Sequence, residues 1–340
     1  MNRVTAHDVA KTAGVSVATV DRVLNERKGV SQNTIAKVNN AMKELNFVRN
    51  QAAADLARGK SYRFVFVVPA GETSFFSDIR REIEAVQLIE SKNRITIEMI
   101  TVPPLQSTTV VEALSKLDTS NLDGVAVVAI ESQIVRDAIN RLRKEGIHVV
   151  TLISDIPNSA RERFIGIDNV AAGRVAASLI KRFVASREGD IAVVAGSGVL
   201  RDHVERRMGF EQVMRAECPH LNVLPWIEGE ELAGVVDEKL SILLTQNANI
   251  VGVYSLGGGT RGVIEAIEAA DSNISVVTTE ISDHAREALI SGVIDAVLVQ
   301  DPTHEVRSAL RILKGLTDQR PINESQERIR IEIFVRDNLP

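Results

Sequence analysis

The chain has 340 residues, 44% of them hydrophobic and 25% charged, the make-up of a globular protein with room for one small and one large or two medium domains. No apolar run approaches membrane length, the polar N-terminus has no signal-peptide core, and the lone Cys218 excludes an internal disulfide framework. The net charge of −5 is uneven: residues 1–60 hold ten Lys/Arg against five acids, which leaves residues 61–340 at −10, the balance expected where only a head meets a polyanion.

The first predicted helix starts at Thr5, with Asp8 three residues on in capping-box spacing, and Val9, Ala10 and Ala13 form its apolar face. Gly14 breaks it where a tight turn needs a left-handed residue. Ser16 caps a second helix that turns Val20, Val23 and Leu24 inward and leaves Val17, Ala18, Arg22 and Asn25 outside. Ser31 caps a third, with Ile35, Val38, Met42 and Leu45 at spacings of three and four. This is a helix-turn-helix pattern whose second helix fits a major groove. Arg22 suits bidentate pairing with guanine, and Thr5, Ser16, Val17, Ala18, Thr19, Asn25 and Ser31 are candidates for phosphate or base contacts. Three capped helices alone would equally serve a small subdomain packed on something else; the basic charge favours DNA.

The run from Val4 to Ser61 resembles the DNA-binding domain and hinge of the LacI/GalR family of bacterial repressors, through Asp8-Val9-Ala10, Ala13-Gly14-Val15-Ser16, Thr19-Val20, Arg22-Val23-Leu24-Asn25, Val30-Ser31, Leu45-Asn46-Phe47, Asn50, Ala53 and Leu56-Ala57. The resemblance implies a helix-turn-helix domain at 1–48 and a hinge helix and linker at 49–61, which orders on operator DNA. Asn50 and Ala53 would contact DNA there, and Leu56 would wedge into the minor groove. Ala52, Ala53, Ala54 and Ala57 favour helix in a segment too short to be helical alone. Asp21 stands where the family usually has Ser and is expected to orient Arg22 by an ion pair; Arg49 replaces the usual Pro.

From Tyr62 onward, short apolar runs alternate with amphipathic stretches. Strands are predicted at 63–68, 95–101, 124–129, 148–153, 190–195, 222–227, 250–255, 275–280, 295–300 and 328–335, with helices between them, such as 76–91, 135–144, 171–186, 203–216 and 260–270. The alternation argues for parallel α/β sheets, and ten strands for two lobes. This part is similar to the periplasmic-binding-protein-like core of the same repressors and of sugar-binding proteins. The similarity implies an effector domain at 62–340, with an N-lobe at 62–165 and 296–324 and a C-lobe at 166–295 and 325–340, crossed near Phe164, Asp295 and Glu324. The expected fold class is therefore α/β, a small all-α head followed by a two-lobed domain.

Ligand would sit at the carboxyl ends of the strands. Phe75 and Phe76 follow the first strand, where similar proteins stack aromatics on a sugar ring; one is expected in the core and one at the ligand. By the same resemblance Arg206, Glu280 and Gln300 fall at ligand-contacting positions. Asp168 is a candidate contact or a helix cap, and Asp155 lies two residues beyond Ile153, which occupies the place of a ligand-clamping Asp. The backbone amides at Gly257-Gly258-Gly259, with His203, Arg206 and Arg261, are suited to cradle an anion, so a sugar acid or phosphorylated polyol is expected alongside neutral sugars.

Gly257 to Gly262 also spells G-x-G-x-x-G, with Glu280 ending the next strand 23 residues on, the fingerprint of a nicotinamide-dependent oxidoreductase. It falls late in the fold, and no catalytic arrangement accompanies it. An exported solute-binding protein is a further alternative, which the basic head opposes. The six His make no metal-ligand spacing, so neither metal nor cofactor is expected. The sequence thus points to a cytoplasmic, non-enzymatic repressor. Its expected partners are near-palindromic operator DNA, a second copy of itself and a small polar effector, with no membrane involved; the direction of the ligand's effect is left open.

Overall fold

The computed structural model describes residues 4–24, 27–45, 47, 60–71, 73–128, 130–270 and 273–339. They form two compact units, residues 1–60 and 61–340.

In the first unit α1 (Ala6–Ala13), α2 (Val17–Leu24) and α3 (Gln32–Glu44) enclose Val9, Ala10, Val20, Val38 and Ala41. Both halves of the Thr5/Asp8 capping box form, satisfying amides at the start of α1. Gly14 ends α1 with φ 65°, a conformation that costs glycine nothing and lets α2 depart sharply. A core this small leaves the caps a large share of the stability.

The second unit opens with β1 (Tyr62–Pro69), α4 (Ser74–Glu90), β2 (Ile95–Val102), α5 (Ser107–Ser115), β3 (Gly124–Val127), α6 (Gln133–Lys144), β4 (His148–Leu152) and β5 (Arg163–Ile165). The strands form a parallel sheet of order β2-β1-β3-β4-β5. Strand alternation divides β1 between two cores: Phe64, Phe66 and Val68 face α4, while Val65 and Val67 face α5 and α6. The short β5 was not among the predicted strands, since three residues carry too little pattern to read.

The chain then crosses to α7 (Asn169–Val184), β6 (Gly189–Ala195), α8 (Arg201–Glu217), β7 (Leu221–Val223), β8 (Ile227–Glu228), α9 (Ala233–Gln246), β9 (Ile250–Ser255), α10 (Thr260–Ala270), β10 (Ser275–Thr279), α11 (Asp283–Ser291) and β11 (Ala296–Val299). The single strand predicted at 222–227 is two pieces, β7 and β8, which both pair with β6. The second sheet runs β12-β11-β10-β9-β6-β7, closed by the antiparallel β12 (Glu332–Phe334).

One lobe boundary differs from the expectation. The N-lobe was to resume at 296, but β11 is hydrogen-bonded on both sides within the second sheet, to β10 and β12. Ladder bonds on both edges hold the strand there, so the crossing is delayed to Gln300-Asp301. Asp301 then caps α12 (Pro302–Thr317), with Pro302 in the first turn where its missing N–H is harmless. α12 packs against α4 and β4 of the first sheet, and its Val306, Ala309, Leu310 and Leu313 complete the core behind Phe64 and Phe66. The chain returns past the short α13 (Glu324–Glu327) to β12.

Candidate functional site

On the head, Ser16 and Ser31 act as helix caps. Ser16 Oγ accepts the Thr19 amide at 3.1 Å and lies 2.9 Å from Thr19 Oγ1; Ser31 Oγ accepts the Thr34 amide at 3.2 Å. Ser16, Ala18 and Arg22 are exposed on one side of α2, opposite buried Val20, while Thr5, Thr19 and Ser31 stand at the starts of α1, α2 and α3. Val17 is half-buried against the head's core. Asp21 pairs with Arg27 at 3.4 Å, a different guanidinium from the expected Arg22. Asn25, Asn50, Ala53 and Leu56 lie outside the described residues.

In the body, strand order reverses at β1/β3 in one sheet and at β6/β9 in the other, and a cavity of about 600 Å³ opens between the lobes at those strand ends. Its two walls differ in chemistry. The first lobe contributes Pro69, Phe76, Val102, Pro103, Pro104, Leu105, Val128 and Ile130, relieved by Thr73 and Ser74. The second contributes Glu230, Glu231, Thr260, Arg261, Glu280, Ser282 and His284. At the rim Arg201 of the second lobe reaches Glu131 of the first at 2.9 Å.

A smaller recess of about 30 Å³ lies at the lobe crossings and shares Glu280 with the cavity. Phe75, Asp78, Arg206, Thr279 and Gln300 line it. Phe75 is buried in the main core cluster, whereas Phe76 is partly buried and faces the large cavity, so the aromatic pair is divided between the two spaces.

Arg206 is 3% exposed and held by its neighbours. Its Nε donates to Asn169 Oδ1 at 2.9 Å, one terminal nitrogen donates to the Leu256 carbonyl at 2.5 Å, and the other lies 3.8 Å from Asp202. The helix carrying it is brought in by glycines: a Cβ on Gly173 would stand 1.9 Å from the Arg206 carbonyl oxygen, and one on Gly209 2.0 Å from that of Val170. Only bare Cα atoms allow α7 and α8 this approach.

Asp155 is placed away from the cleft, Asp168 takes the helix-cap alternative, and the glycine run is open only in part. Asp155 does not line the cavity; Arg161 takes both its oxygens, with Thr151 Oγ1 and the Ile156 amide also on Oδ1. A loop ion pair of that quality leaves it nothing for a ligand. Asp168 is the exposed N-cap of α7, accepting the Ala171 amide at 2.8 Å, and its neighbour Asn169 is the residue that reaches inward. The glycine run is covered only in part: Gly257 faces His203, Arg206 and Thr279, whereas the Glu231 carboxylate lies over the next residue, so that a Cβ on Gly258 would meet Glu231 Oε1 at 2.5 Å and one on Gly196 at 1.6 Å. An anionic ligand at Gly258 would meet that carboxyl group.

The same geometry disfavours the dinucleotide reading. Glu231 and Val236 cover Gly258 and Gly259 where a pyrophosphate would lie, and Gly262 serves packing, its missing Cβ standing 2.0 Å from the Ala233 carbonyl.

Sequence reasoning missed how acidic the interior is. Asp202 and Glu305 are buried beside Arg206, as Glu231 and Glu280 are in part. Burial, reinforced by Asp202, raises Glu231 to about 7; burial, reinforced by Glu231, raises Glu280 to about 8. Glu305 rises well above the usual range, mainly through burial. Burial pushes His203 down, leaving a neutral imidazole whose Nδ1 accepts the Ser197 amide at 3.4 Å. Glu280 has φ 71°, a left-handed conformation that turns the strand end toward the recess. Side-chain oxygens of Asp202, Glu231, Thr279, Gln300 and Glu305 are buried without a hydrogen-bond partner among the described residues.

A capped helix-turn-helix unit joined in one chain to a two-lobed α/β unit with a cleft at its switch points defines the class: a helix-turn-helix head on a periplasmic-binding-protein-like body. Comparison with known proteins agrees. Residues 5–50 match the lacI family of bacterial regulatory proteins, and residues 64–321 match the periplasmic binding protein domain. The chain belongs to the family of the periplasmic binding protein domain, which makes up its body, and its head carries the lacI-family domain.

The HTH-type transcriptional regulator DegA of Bacillus subtilis is 29% identical over 217 residues, 62% of this chain and 61% of that protein. The sucrose operon repressor of Lactococcus lactis is 41% identical over 83 residues, 24% of this chain and 26% of that one. The match to these relatives therefore spans less than two thirds of their own length. Among solved structures, GanP, a glucose-galactose binding protein from Geobacillus stearothermophilus, aligns with a TM-score of 0.74 at 19% identity, over 83% of this chain and 99% of that one. A solute binding protein from Burkholderia graminis in complex with D-arabinose gives 0.72 at 20%, over 82% and 96%. At such identities the likeness establishes the fold.

Proposed function

We propose that the chain is a sequence-specific DNA-binding transcriptional regulator, a repressor in the cytoplasm, whose operator affinity is set by a small polar molecule bound between the lobes. The observation that carries the reading is the exposed face of α2, with Ser16, Ala18 and Arg22 on a well-capped helix of a net-basic head. It acts as a homodimer, so that two heads read a near-palindromic site. Ligand closes one lobe on the other, and its different affinity for the two arrangements biases the geometry of the paired heads. The sugar-class names among the relatives and the 600 Å³ cleft support a sugar or polyol effector. The Glu231 carboxyl group over Gly258 argues against a sugar acid at that glycine.

The experiment is selection of a duplex from random sequence, followed by anisotropy titration over a salt series. Wild-type binding is expected to weaken steeply with salt, and Arg22→Ala to cost about 1–3 kcal/mol and relax one base position in each half-site. Failure to enrich any sequence, or an Arg22→Ala variant with wild-type specificity, refutes the reading.

A further inference from the structure

The unpartnered oxygens around Arg206 share a property: each can accept a hydrogen bond, the Gln300 amide oxygen can do nothing else, and none has a donor among the described residues. Gln300 Oε1 and Thr279 Oγ1 belong to side chains 7% and 4% exposed, line the recess, and have no partner among the described residues. Glu280 stands where the recess meets the cavity, with Asp78 on the recess wall and Asp202 and Glu231 close enough to act on its charge. The cation facing them from the recess wall, Arg206, is already directed to Asn169, Leu256 and Asp202, and Arg261 in the outer cavity is turned onto Glu265 at 2.9 Å. Buried acceptors without donors are costly unless a bound molecule supplies them.

Size and the remaining walls narrow the donor. A recess of about 30 Å³ admits a group the size of one water, such as an ammonium, and the Phe75 ring, an aromatic group of the kind that attracts cations, lies on its wall. The adjoining first-lobe wall, with Pro103, Pro104, Leu105, Val128 and Ile130, offers apolar surface and little for hydroxyls to bond.

We propose that the cleft takes a ligand bearing a protonated primary amine on a body with an apolar face, the ammonium lodged in the recess between Glu280, Thr279 and Gln300 and the apolar face laid on the first lobe. The inference rests on the cleft being the effector site, and it departs from the sugar or polyol that the relatives' names suggest in assigning an amine. It carries a proton signature. Glu280, facing Asp78, Asp202, Glu231 and Arg206, holds its proton at neutral pH. An arriving ammonium stabilises the carboxylate, and the released proton passes to buffer.

The test is isothermal titration of the full chain with 2-phenylethylamine, 2-phenylethanol and D-glucose, in two buffers of different ionisation enthalpy. The amine is expected to bind at least about tenfold tighter than its alcohol, releasing a fraction of a proton, and Glu280→Gln, checked for folding by urea unfolding, to remove the preference. Equal affinity of amine and alcohol, tighter binding of glucose, amine binding without proton release, or no binding of any probe at millimolar concentration overturns the proposal. Anisotropy on the selected duplex separates the two readings. Amine binding that leaves DNA affinity unchanged sinks the regulatory role of the cleft and keeps the amine; DNA affinity that answers glucose and not the amine does the reverse.

Discussion

Gly173→Ala probes the joint that fixes Arg206. The new methyl would stand 1.9 Å from the Arg206 carbonyl oxygen and 2.8 Å from the Phe210 amide, backbone atoms that cannot swing aside. To reach ordinary contact the two helices must part by well over an ångström along a tightly packed face. Overpacking of this severity costs about 3 kcal/mol, and the better helix propensity of Ala returns about 1, leaving a loss near 2 kcal/mol. For a unit of this size the melting temperature should fall by roughly 4–8 °C. The same shift draws Arg206 away from Asn169 and Leu256, so ligand affinity should fall as well. Gly234→Ala, in the helix Ala233–Gln246 with nothing within 4 Å of the added methyl, is the matched control and should gain about 0.4–1 kcal/mol. Urea and thermal unfolding of both variants, with ligand titration, measure these effects. A Gly173→Ala protein as stable as wild type, with unchanged affinity, would refute the packing argument.

Two other outcomes are expected. Ser31→Ala removes the hydroxyl that accepts the Thr34 amide and should cost the small head about 0.5–2 kcal/mol while leaving the body's unfolding unchanged, as separate transitions in calorimetry would report. Because Glu280 is raised in the folded protein, its stabilising contribution is complete below the ordinary carboxylate range and is lost as pH rises through about 8. Melting temperature followed against pH should therefore decline less steeply over that interval in Glu280→Gln than in wild type.

The head was legible because its information is local. Thr5 with Asp8, Gly14, Ser16 and Ser31 each act within four residues, and the structure forms those caps and that turn. Alternation likewise revealed most buried strands, though β5 was too short to show a period, and the end of the second sheet depended on pairing that no segment encodes alone. The cleft was harder to read. Arg206, Glu280, Gln300 and both phenylalanines were anticipated at its walls from the resemblance to similar binding proteins, but Asp155 reads as a ligand clamp until its pairing with Arg161 is seen. Asp202, Glu231 and Glu305 come from separate elements that meet only in the folded chain, and Glu231 reaches the glycines from a turn in which Glu230 and Glu231 both have positive φ. No spacing marks such an encounter.

The late helix Pro302–Thr317 has a consequence for synthesis. The five strands of the first sheet leave the ribosome by Ile165, but the face carrying Phe64, Phe66 and Val68 lacks part of its cover until that helix emerges. At ordinary elongation rates the nascent lobe waits on the order of ten seconds with aromatic surface open to chaperones or to neighbouring chains. The second lobe is complete only once Glu332–Phe334 has been made. Neither lobe can therefore be made, traded or discarded as a contiguous segment, and the pair must evolve as one piece.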